Sequence, residues 1–201
     1  MPELENTYYD KGYNLIAGID EVGRGPLAGP VCAAAVILPK GLCIDGVDDS
    51  KKLSEKKREA LYETIIKKAL AWATVFVEPQ VIDDINIRQA THLAMQQAVD
   101  KLEIKPDFLL VDGNDRIDFN DIDSEYIVKG DSKFMCIAAA SIVAKVTRDR
   151  YMVEMEKEYP GYGFAKNKGY GTKAHMLGIR EIGLCPIHRK TFITDKVLGK
   201  A

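Results

Sequence analysis

Two adjacent carboxylates follow the first apolar segment of this 201-residue chain. Residues 15–19 are a mostly apolar run of the kind that forms a buried strand, and Asp20 and Glu21 continue it directly. A carboxylate in such a place needs compensation, because burying an unpaired charge costs several kcal/mol. The compensation is a metal ion, a basic neighbour, or water reached where the strand ends.

The segment Gly23-Arg24-Gly25 comes next and is suited to close contact with a phosphate. Glycine adopts backbone angles closed to other residues, so the chain is free to turn there. Successive residues of a regular strand point to opposite faces, so Asp20 and Glu21 can serve one site only if the strand ends or twists. Arg24 offers a bidentate guanidinium group to a phosphate. A strand end followed by a solvated turn is the alternative interpretation.

Two further predicted strands also end in acid. Residues 108–111 run into Asp112, and residues 125–129 are followed closely by Asp131. Sites in open α/β sheets form at the carboxyl ends of strands, so we expect these acids to converge with the first pair. Carboxylates without histidine or thiolate suit Mg²⁺ or Mn²⁺, and two such ions would activate water and stabilise the leaving oxygen of a phosphodiester. Taken singly, Asp112 also fits an Asp-Gly turn and Asp131 a helix N-cap.

The elements that must position these acids follow from hydrophobic periodicity. Strands are predicted at 15–19, 31–38, 72–77, 108–111 and 125–129, and helices at 54–70, 86–102, 133–158 and 172–182. Ser54 and Asn86 are the expected N-caps of the first two helices, and Pro79 is expected to stop the third strand. Helical crossovers between strands require at least one parallel pair, so the sequence predicts an α/β fold around one mixed sheet.

Composition limits the partners and the compartment. No apolar stretch is long enough to cross a membrane and the N-terminus lacks a signal-peptide pattern, so a cytoplasmic protein without membrane association is expected. The net charge is −2, yet residues 133–190 hold 11 Lys and Arg against 5 Asp and Glu. That basic segment suits an anionic partner, although a solvated helical surface is the alternative. Nothing in the sequence indicates more than a monomer.

Several separate blocks of the chain form a recognisable ordered set. They are GIDEVGRGPLAGPV at 18–31, DSKKLS at 49–54, VDGN at 111–114, KGD at 129–131, ASIVAKVTRD at 140–149, GYGTKAH at 169–175 and HRKTF at 188–192. Together they resemble the ribonuclease HII family. The resemblance implies a ribonuclease H-like fold, an α/β mixed five-stranded sheet flanked by helices. It further implies a catalytic domain over 1–158, with a C-terminal helical extension over 159–201 packed on the same domain.

The resemblance also implies an activity and a set of site residues. The activity is hydrolysis of the RNA strand of RNA/DNA hybrids and cleavage 5′ of single ribonucleotides in duplex DNA, leaving 3′-hydroxyl and 5′-phosphate ends. By motif, the catalytic residues and ligands of two Mn²⁺ or Mg²⁺ ions are Asp20, Glu21, Asp112 and Asp131. The Gly23-Arg24-Gly25 loop would sense the 2′-hydroxyl, and Tyr170 would stack on the sugar at the RNA–DNA junction.

Further contacts to nucleic acid are expected from Ser50, Lys51, Lys145, Arg148, Lys173 and His175, since most protein hydrogen bonds to nucleic acid go to its backbone. Each of the basic side chains among them has an alternative as a solvated or ion-paired surface charge. The expected partners are RNA/DNA hybrid and ribonucleotide-containing duplex DNA. Sliding-clamp binding is not expected, because the C-terminus shows no clamp-binding peptide. A module of the same fold that binds hybrids without cutting, and a nuclease that cuts all-DNA substrate, stay open as alternatives.

Overall fold

The computed structural model describes residues 2–47 and 53–200, and at its centre is a mixed five-stranded sheet. The strands are β1 (Ile16–Val22), β2 (Val31–Ile37), β3 (Ala71–Val77), β4 (Phe108–Asp112) and β5 (Ser124–Ile127), in the spatial order β3-β2-β1-β4-β5. β2 pairs antiparallel with β1 and β3, whereas β4 pairs parallel with β1 and β5. The predicted mixed sheet with parallel pairs is confirmed.

Helices cover both faces of this sheet. They are α1 (Pro2–Tyr9), α2 (Glu55–Lys68), α3 (Pro79–Asp100), α4 (Met135–Glu158), α5 (Phe164–Asn167), α6 (Lys173–Ile182) and α7 (Asp195–Leu198). Apolar side chains of α3 pack on one face of the sheet, and those of α2 and α4 pack on the other. Among the residues described, no helix has both the length and the apolar character needed to cross a membrane.

Local capping explains where two of the helices begin. The Ser54 side chain accepts a hydrogen bond from the backbone amide three residues later, as expected of the N-cap of α2. Asn86 has φ 65° and its Oδ1 accepts from the amides two and three residues later, so it caps the second part of α3. A helical stretch that was not predicted precedes it and begins at Pro79, so α3 consists of two helical parts that meet at the kink at Asn86. Proline suits the first helical position because the missing N–H has no intrahelical partner there.

Close packing of α4 on β1 depends on small residues. The buried side chains of α4 that cluster with residues of β1, β2 and β4 include Cys136, Ala139, Ala140, Val143 and Ala144. On β1, a Cβ atom at Gly18 would overlap the backbone of α4 at Cys136 and Ile137. Glycine is therefore required at this position for the helix to lie as close to the strand as it does.

The N-terminus of α4 is capped from another helix. The residue at its N-cap position, Phe134, makes no side-chain capping bond, and the amide of Cys136 donates to Glu5 Oε1 of α1 at 2.8 Å. Burial raises the pKa of Glu5, and the bond from the Cys136 amide opposes this shift. A distant carboxylate thus satisfies one of the free amides of a helix start and ties α1 to the core.

We expect Glu5→Ala to lower the free energy of unfolding by about 1–3 kcal/mol, because a buried amide at the start of α4 loses its acceptor. Glu5→Gln keeps an acceptor oxygen and should lower it less. Urea denaturation followed by circular dichroism at neutral pH measures both variants. An alanine variant as stable as the wild type would show that Glu5 does not cap α4.

The chain after α4 packs on the turn between β1 and β2. Apolar residues of this C-terminal segment cluster with Ala28 and Met152, and they are Tyr162, Phe164, Ile179, Ile187 and Val197. Backbone bonds join the same parts, from the amide of Gly29 to the carbonyl of Ile187 at 2.8 Å and from the amide of Leu27 to the carbonyl of Gly169 at 2.8 Å. C-terminal helices are present as expected, and the boundary between 158 and 159 stays a prediction.

Candidate active site

Parallel pairing of β1 and β4 brings two of the predicted acids to the same end of the sheet. Ile19 lies opposite Val111 in the register, so Asp20 and Asp112 are the next residues along the two strands. The negative charge of Asp112 acts on both Asp20 and Glu21. Three carboxylates of two neighbouring strands therefore share one region, as the strand-end argument predicted.

Asp131 reaches this region through the turn after β5. It lies in the short 3₁₀ helix Gly130–Ser132 and is buried. The amide of Gly130, the residue before it, donates to Asp112 Oδ1 at 2.7 Å. A Cβ at Gly130 would come within 2.6 Å of the Ile137 side chain, so the turn is held close against α4. The structure thus places Asp131 one residue from a direct contact to Asp112.

Burial raises the pKa of two of these acids. For Asp20 the largest cause is desolvation, followed by the charges of Glu21 and Asp112, while the Ser141 hydroxyl and the Glu21 amide oppose the shift. Desolvation likewise raises the pKa of Glu21, and Arg24, whose Nη1 lies 3.4 Å from Glu21 Oε1, counteracts it. Buried carboxylates that repel one another are typical of functional sites that bind a cation or a proton.

The donor set at this end of the sheet fits a hard divalent cation, because it consists of carboxylate oxygens. Within residues 2–47 and 53–200, however, no three Asp, Glu, His or Cys side chains are already gathered as a metal-binding group. Binding a cation would require these carboxylates to come closer together. It would in return offset the desolvation and the mutual repulsion that raise the pKa of Asp20 and Glu21.

The turn after β1 carries the glycine-arginine loop and meets the predicted aromatic residue. Gly23 has φ +93°, an angle that favours glycine, and Arg24 and Gly25 are exposed. Tyr170 is 42% exposed, and a Cβ at Gly25 would lie 3.8 Å from its ring atom Cε1. The structure therefore places Tyr170 beside Gly25, although the two are far apart in the sequence.

Two buried histidines support the backbone of Tyr170. The prediction that His175 contacts a phosphate is wrong, because its side chain is fully buried, and His188 was assigned no role from the sequence. His188 Nδ1 accepts from the amide of Cys185 at 2.9 Å, which leaves the proton of a neutral ring on Nε2. That atom lies 3.0 Å from His175 Nε2, so His175 carries its proton on Nδ1 and donates to the Tyr170 carbonyl at 3.0 Å. Burial lowers the pKa of both histidines, that of His188 to about 4, which keeps the pair neutral at physiological pH.

The other predicted nucleic-acid contacts have different outcomes. Lys145 forms an ion pair with Asp149 at 2.8 Å and is largely buried. The prediction that Arg148 contacts a phosphate is wrong. Its side chain is fully buried, and its three guanidinium nitrogens donate to the carbonyls of Pro30, Lys168 and Ala28. It holds loops together and is not available to a phosphate. Ser50 and Lys51 lie outside the described residues, and Lys173, which is exposed, stays a prediction.

Sequence reasoning missed two residues near the acids. Arg189 is fully buried and bonds to the carbonyls of Gly23 and Arg24, and its place in the HRKTF block was the available signal. His92 lines a small cavity together with Glu21, Arg24 and Asp112, and nothing about its position in α3 distinguishes it in the sequence.

Comparisons with known proteins agree with this architecture. A family model described as Ribonuclease HII matches residues 17–195. The ribonuclease HII of Listeria monocytogenes serotype 4b is 54% identical over 197 residues, which are 98% of this chain and 74% of that protein. The crystal structure of ribonuclease H2 from Pyrococcus horikoshii OT3 superposes with a TM-score of 0.78 at 28% identity, covering 92% of this chain and 97% of that one.

A second solved structure, a PCNA:RNase HII complex from Archaeoglobus fulgidus, gives a TM-score of 0.75 at 27% identity and covers 90% of this chain and 96% of that one. These similarities confirm the predicted ribonuclease H-like fold, with its mixed five-stranded sheet and C-terminal helices. The chain therefore belongs to the ribonuclease HII family of ribonuclease H hydrolases.

Proposed function

We propose that this chain hydrolyses the RNA strand of RNA/DNA hybrids and cuts on the 5′ side of single ribonucleotides in duplex DNA. Two divalent ions, Mn²⁺ or Mg²⁺, would be held by Asp20, Glu21, Asp112 and Asp131. The observation that carries the proposal is the group of mutually repelling carboxylates at the ends of β1 and β4, directly beside an exposed glycine-arginine loop and Tyr170.

In the proposed reaction, a water oxygen bonds to the phosphorus and the bond from phosphorus to the 3′ oxygen of the upstream nucleotide breaks. The 3′ oxygen takes up a proton, and the products end in 3′-hydroxyl and 5′-phosphate. Bound divalent ions lower the pKa of the water and stabilise charge on the departing oxygen. Asp20, Glu21, Asp112 and Asp131 would hold those ions, whose positive charge would offset the mutual repulsion of the carboxylates.

Recognition of the ribonucleotide falls to the loop and the tyrosine. The 2′-hydroxyl is the group that distinguishes RNA from DNA, and exposed amides of Arg24 and Gly25 can donate to it or to the adjacent phosphate. Tyr170, half exposed beside Gly25, offers a ring face for the sugar at the junction. The partners are thus RNA/DNA hybrid and ribonucleotide-containing duplex, bound by a monomer. PCNA binding belongs to the Archaeoglobus relative, and we do not propose it for this chain.

A cleavage assay with three matched duplexes tests the proposal: a hybrid, an all-DNA duplex and the same duplex with one ribonucleotide. With Mn²⁺ or Mg²⁺ present, we expect cleavage of the hybrid, and cleavage of the one-ribonucleotide duplex on the 5′ side of the ribonucleotide. Excess chelator should lower the rate by about 100-fold or more, because the water and the leaving oxygen lose their stabilisation.

Three results would contradict the proposal. Full activity in excess chelator would exclude metal-assisted hydrolysis. Hybrids bound but never cut would indicate a binding module of this fold. Equal cleavage of all-DNA duplex would indicate a nuclease that does not sense the 2′-hydroxyl.

A further inference from the structure

A fully buried arginine from the C-terminal segment lies directly beneath the glycine-arginine loop. Arg189 Nη2 donates to the carbonyl of Gly23 at 2.6 Å, Nη1 to that of Arg24 at 3.0 Å, and Nε to that of Gly29 at 2.9 Å. The planar guanidinium group thus holds two consecutive peptide groups of the glycine-arginine loop, and a third at Gly29, just before β2.

These bonds determine where the loop amides point. In a trans peptide the C=O and the N–H point in opposite directions, and no peptide bond of the described chain is cis. Because the carbonyls of Gly23 and Arg24 point inward to Arg189, the amides of Arg24 and Gly25 point outward. Both residues are exposed, and among residues 2–47 and 53–200 no group accepts a hydrogen bond from either amide. Two unpaired donors therefore point away from Arg189, in a loop whose Gly25 lies beside Tyr170.

Arg189 is itself held in place from several sides. Its own amide donates to the carbonyl of Leu27 at 2.9 Å. The next two residues are anchored by Asp83 of α3, which accepts from the amides of Lys190 at 2.8 Å and Thr191 at 3.0 Å. The guanidinium group is therefore positioned by the fold before any ligand arrives.

The charge of Arg189 is costly where it lies. Burial, together with the positive charge of Arg148, lowers the pKa of Arg189 to about 9, while Tyr170 and Asp83 oppose the shift. The bonding partners of both arginine side chains are backbone carbonyls. A neutral side chain would avoid this cost. The guanidinium group therefore has two effects that a neutral side chain lacks: it orients the carbonyls to which it donates, and it places positive potential beneath the loop.

We propose that Arg189 is a positioning residue that determines the preference for ribonucleotides, by aiming the amides of Arg24 and Gly25 at the 2′-hydroxyl and its phosphate. The inference rests on the proposed function and assigns the source of its specificity. Lysine cannot replace arginine in this role, because a single ammonium group does not hold two consecutive carbonyls in one plane.

Binding measurements on Arg189→Lys and Arg189→Met test the proposal. Dissociation constants for the one-ribonucleotide duplex and the matched all-DNA duplex are measured by fluorescence anisotropy with chelator present, so that no cleavage occurs. We expect the variants to bind the one-ribonucleotide duplex about 10-fold or more weakly, since amide bonds to the 2′-hydroxyl and phosphate are lost. Affinity for all-DNA duplex should change less than about twofold, because the basic surface is untouched.

The matched control is Arg180→Lys. Arg180 also belongs to the C-terminal segment and also donates to two backbone carbonyls, those of Val197 and Lys196, away from the loop. It should keep the wild-type preference. A general loosening of the C-terminal segment would instead weaken binding of both duplexes in all variants, which would overturn the assignment to Arg189.

A spectroscopic measurement covers the case in which the methionine variant fails to fold. In the wild type, the backbone amide resonances of Arg24 and Gly25 should shift when the one-ribonucleotide duplex is added and shift less with all-DNA duplex. In Arg189→Lys this difference should disappear. Wild-type amides that respond equally to both duplexes would overturn the inference.

The outcomes separate the inference from the function on which it rests. A wild-type chain that fails to cut next to a ribonucleotide removes the proposed function, and the inference with it. A wild-type chain that cuts there, beside an Arg189→Lys variant with unchanged preference, removes the inference alone.

Discussion

Replacing Asp20 with asparagine is expected to lower the rate of ribonucleotide cleavage by about 100-fold or more while preserving the fold. Under the proposed mechanism Asp20 helps to hold a divalent ion, and an amide lacks the negative charge that attracts it. Asp20 Oδ1 accepts a hydrogen bond from the amide of Glu21 at 2.7 Å. The side-chain oxygen of asparagine can accept the same bond, so we expect the local backbone to keep its position.

The same substitution should not destabilise the metal-free protein. The pKa of Asp20 is raised by burial and by Glu21 and Asp112. A group whose pKa is higher in the folded state favours folding below its unfolded pKa, and that contribution is lost as the pH rises through the folded value. As the pH rises above about 4, the usual pKa of an aspartate in an unfolded chain, the free energy of unfolding of the wild type therefore falls. That of the asparagine variant does not fall for this reason, because asparagine does not titrate.

Three measurements check this prediction. Single-turnover cleavage gives the rate, anisotropy without metal gives hybrid affinity, and thermal unfolding with and without Mn²⁺ reports ion binding independently of activity. The Asp20→Asn variant should retain hybrid affinity and lose most of the stabilisation by Mn²⁺. Asp100→Asn, at the exposed end of α3, is the matched control and should behave as wild type. An Asp20→Asn variant that cuts at the wild-type rate would exclude Asp20 from the site.

Gly18→Ala is expected to lower the free energy of unfolding by about 3 kcal/mol or more, and the melting temperature by about 6–12 °C. The new methyl group would overlap backbone atoms of Cys136 and Ile137, and backbone cannot rotate away as a side chain can. Either α4 moves outward or β1 bends, and both loosen the densest contact of the core.

A glycine in open space supplies the control for this substitution. Gly41 has φ +72°, and a Cβ there meets nothing within 4 Å, so Gly41→Ala should cost only the backbone strain of about 1–2 kcal/mol. Thermal unfolding of the two variants separates strain from overlap. Gly18→Ala should also lower activity, because Ser141 of α4 hydrogen-bonds to Asp20 and would move with the helix. Equal melting temperatures for the two variants would show that the overlap at Gly18 costs no more than the backbone strain at Gly41, and would contradict the prediction.

Much of the fold was predictable because its signals are local. Ser54 and Asn86 cap helices through amides two or three residues away, and the buried strands are continuous apolar runs. The first part of α3, from Pro79 to the kink at Asn86, was not predicted, because proline is compatible both with the end of a strand and with the first turn of a helix.

The acids of the candidate site could be proposed from the sequence for a related reason. Each follows or ends a strand, and parallel neighbours place such ends at one edge of the sheet, as the pairing of β1 with β4 does for Asp20 and Asp112. What the sequence could not give is their protonation behaviour. That depends on burial and on the distance between charges, which no local pattern encodes.

By itself, then, the sequence determined the order of the strands and of the longer helices between them, the strand-end acids, the glycine-arginine loop and the family. Only the tertiary structure decided what its buried charges do. Arg148 and Arg189 look like surface cations in the sequence, and the fold instead places both inside, bonded to carbonyls of a loop that is far away along the chain. Such contacts arise from the docking of the C-terminal segment onto the turn after β1, and their partners are backbone atoms that every residue carries. A residue type and its neighbours therefore cannot reveal them.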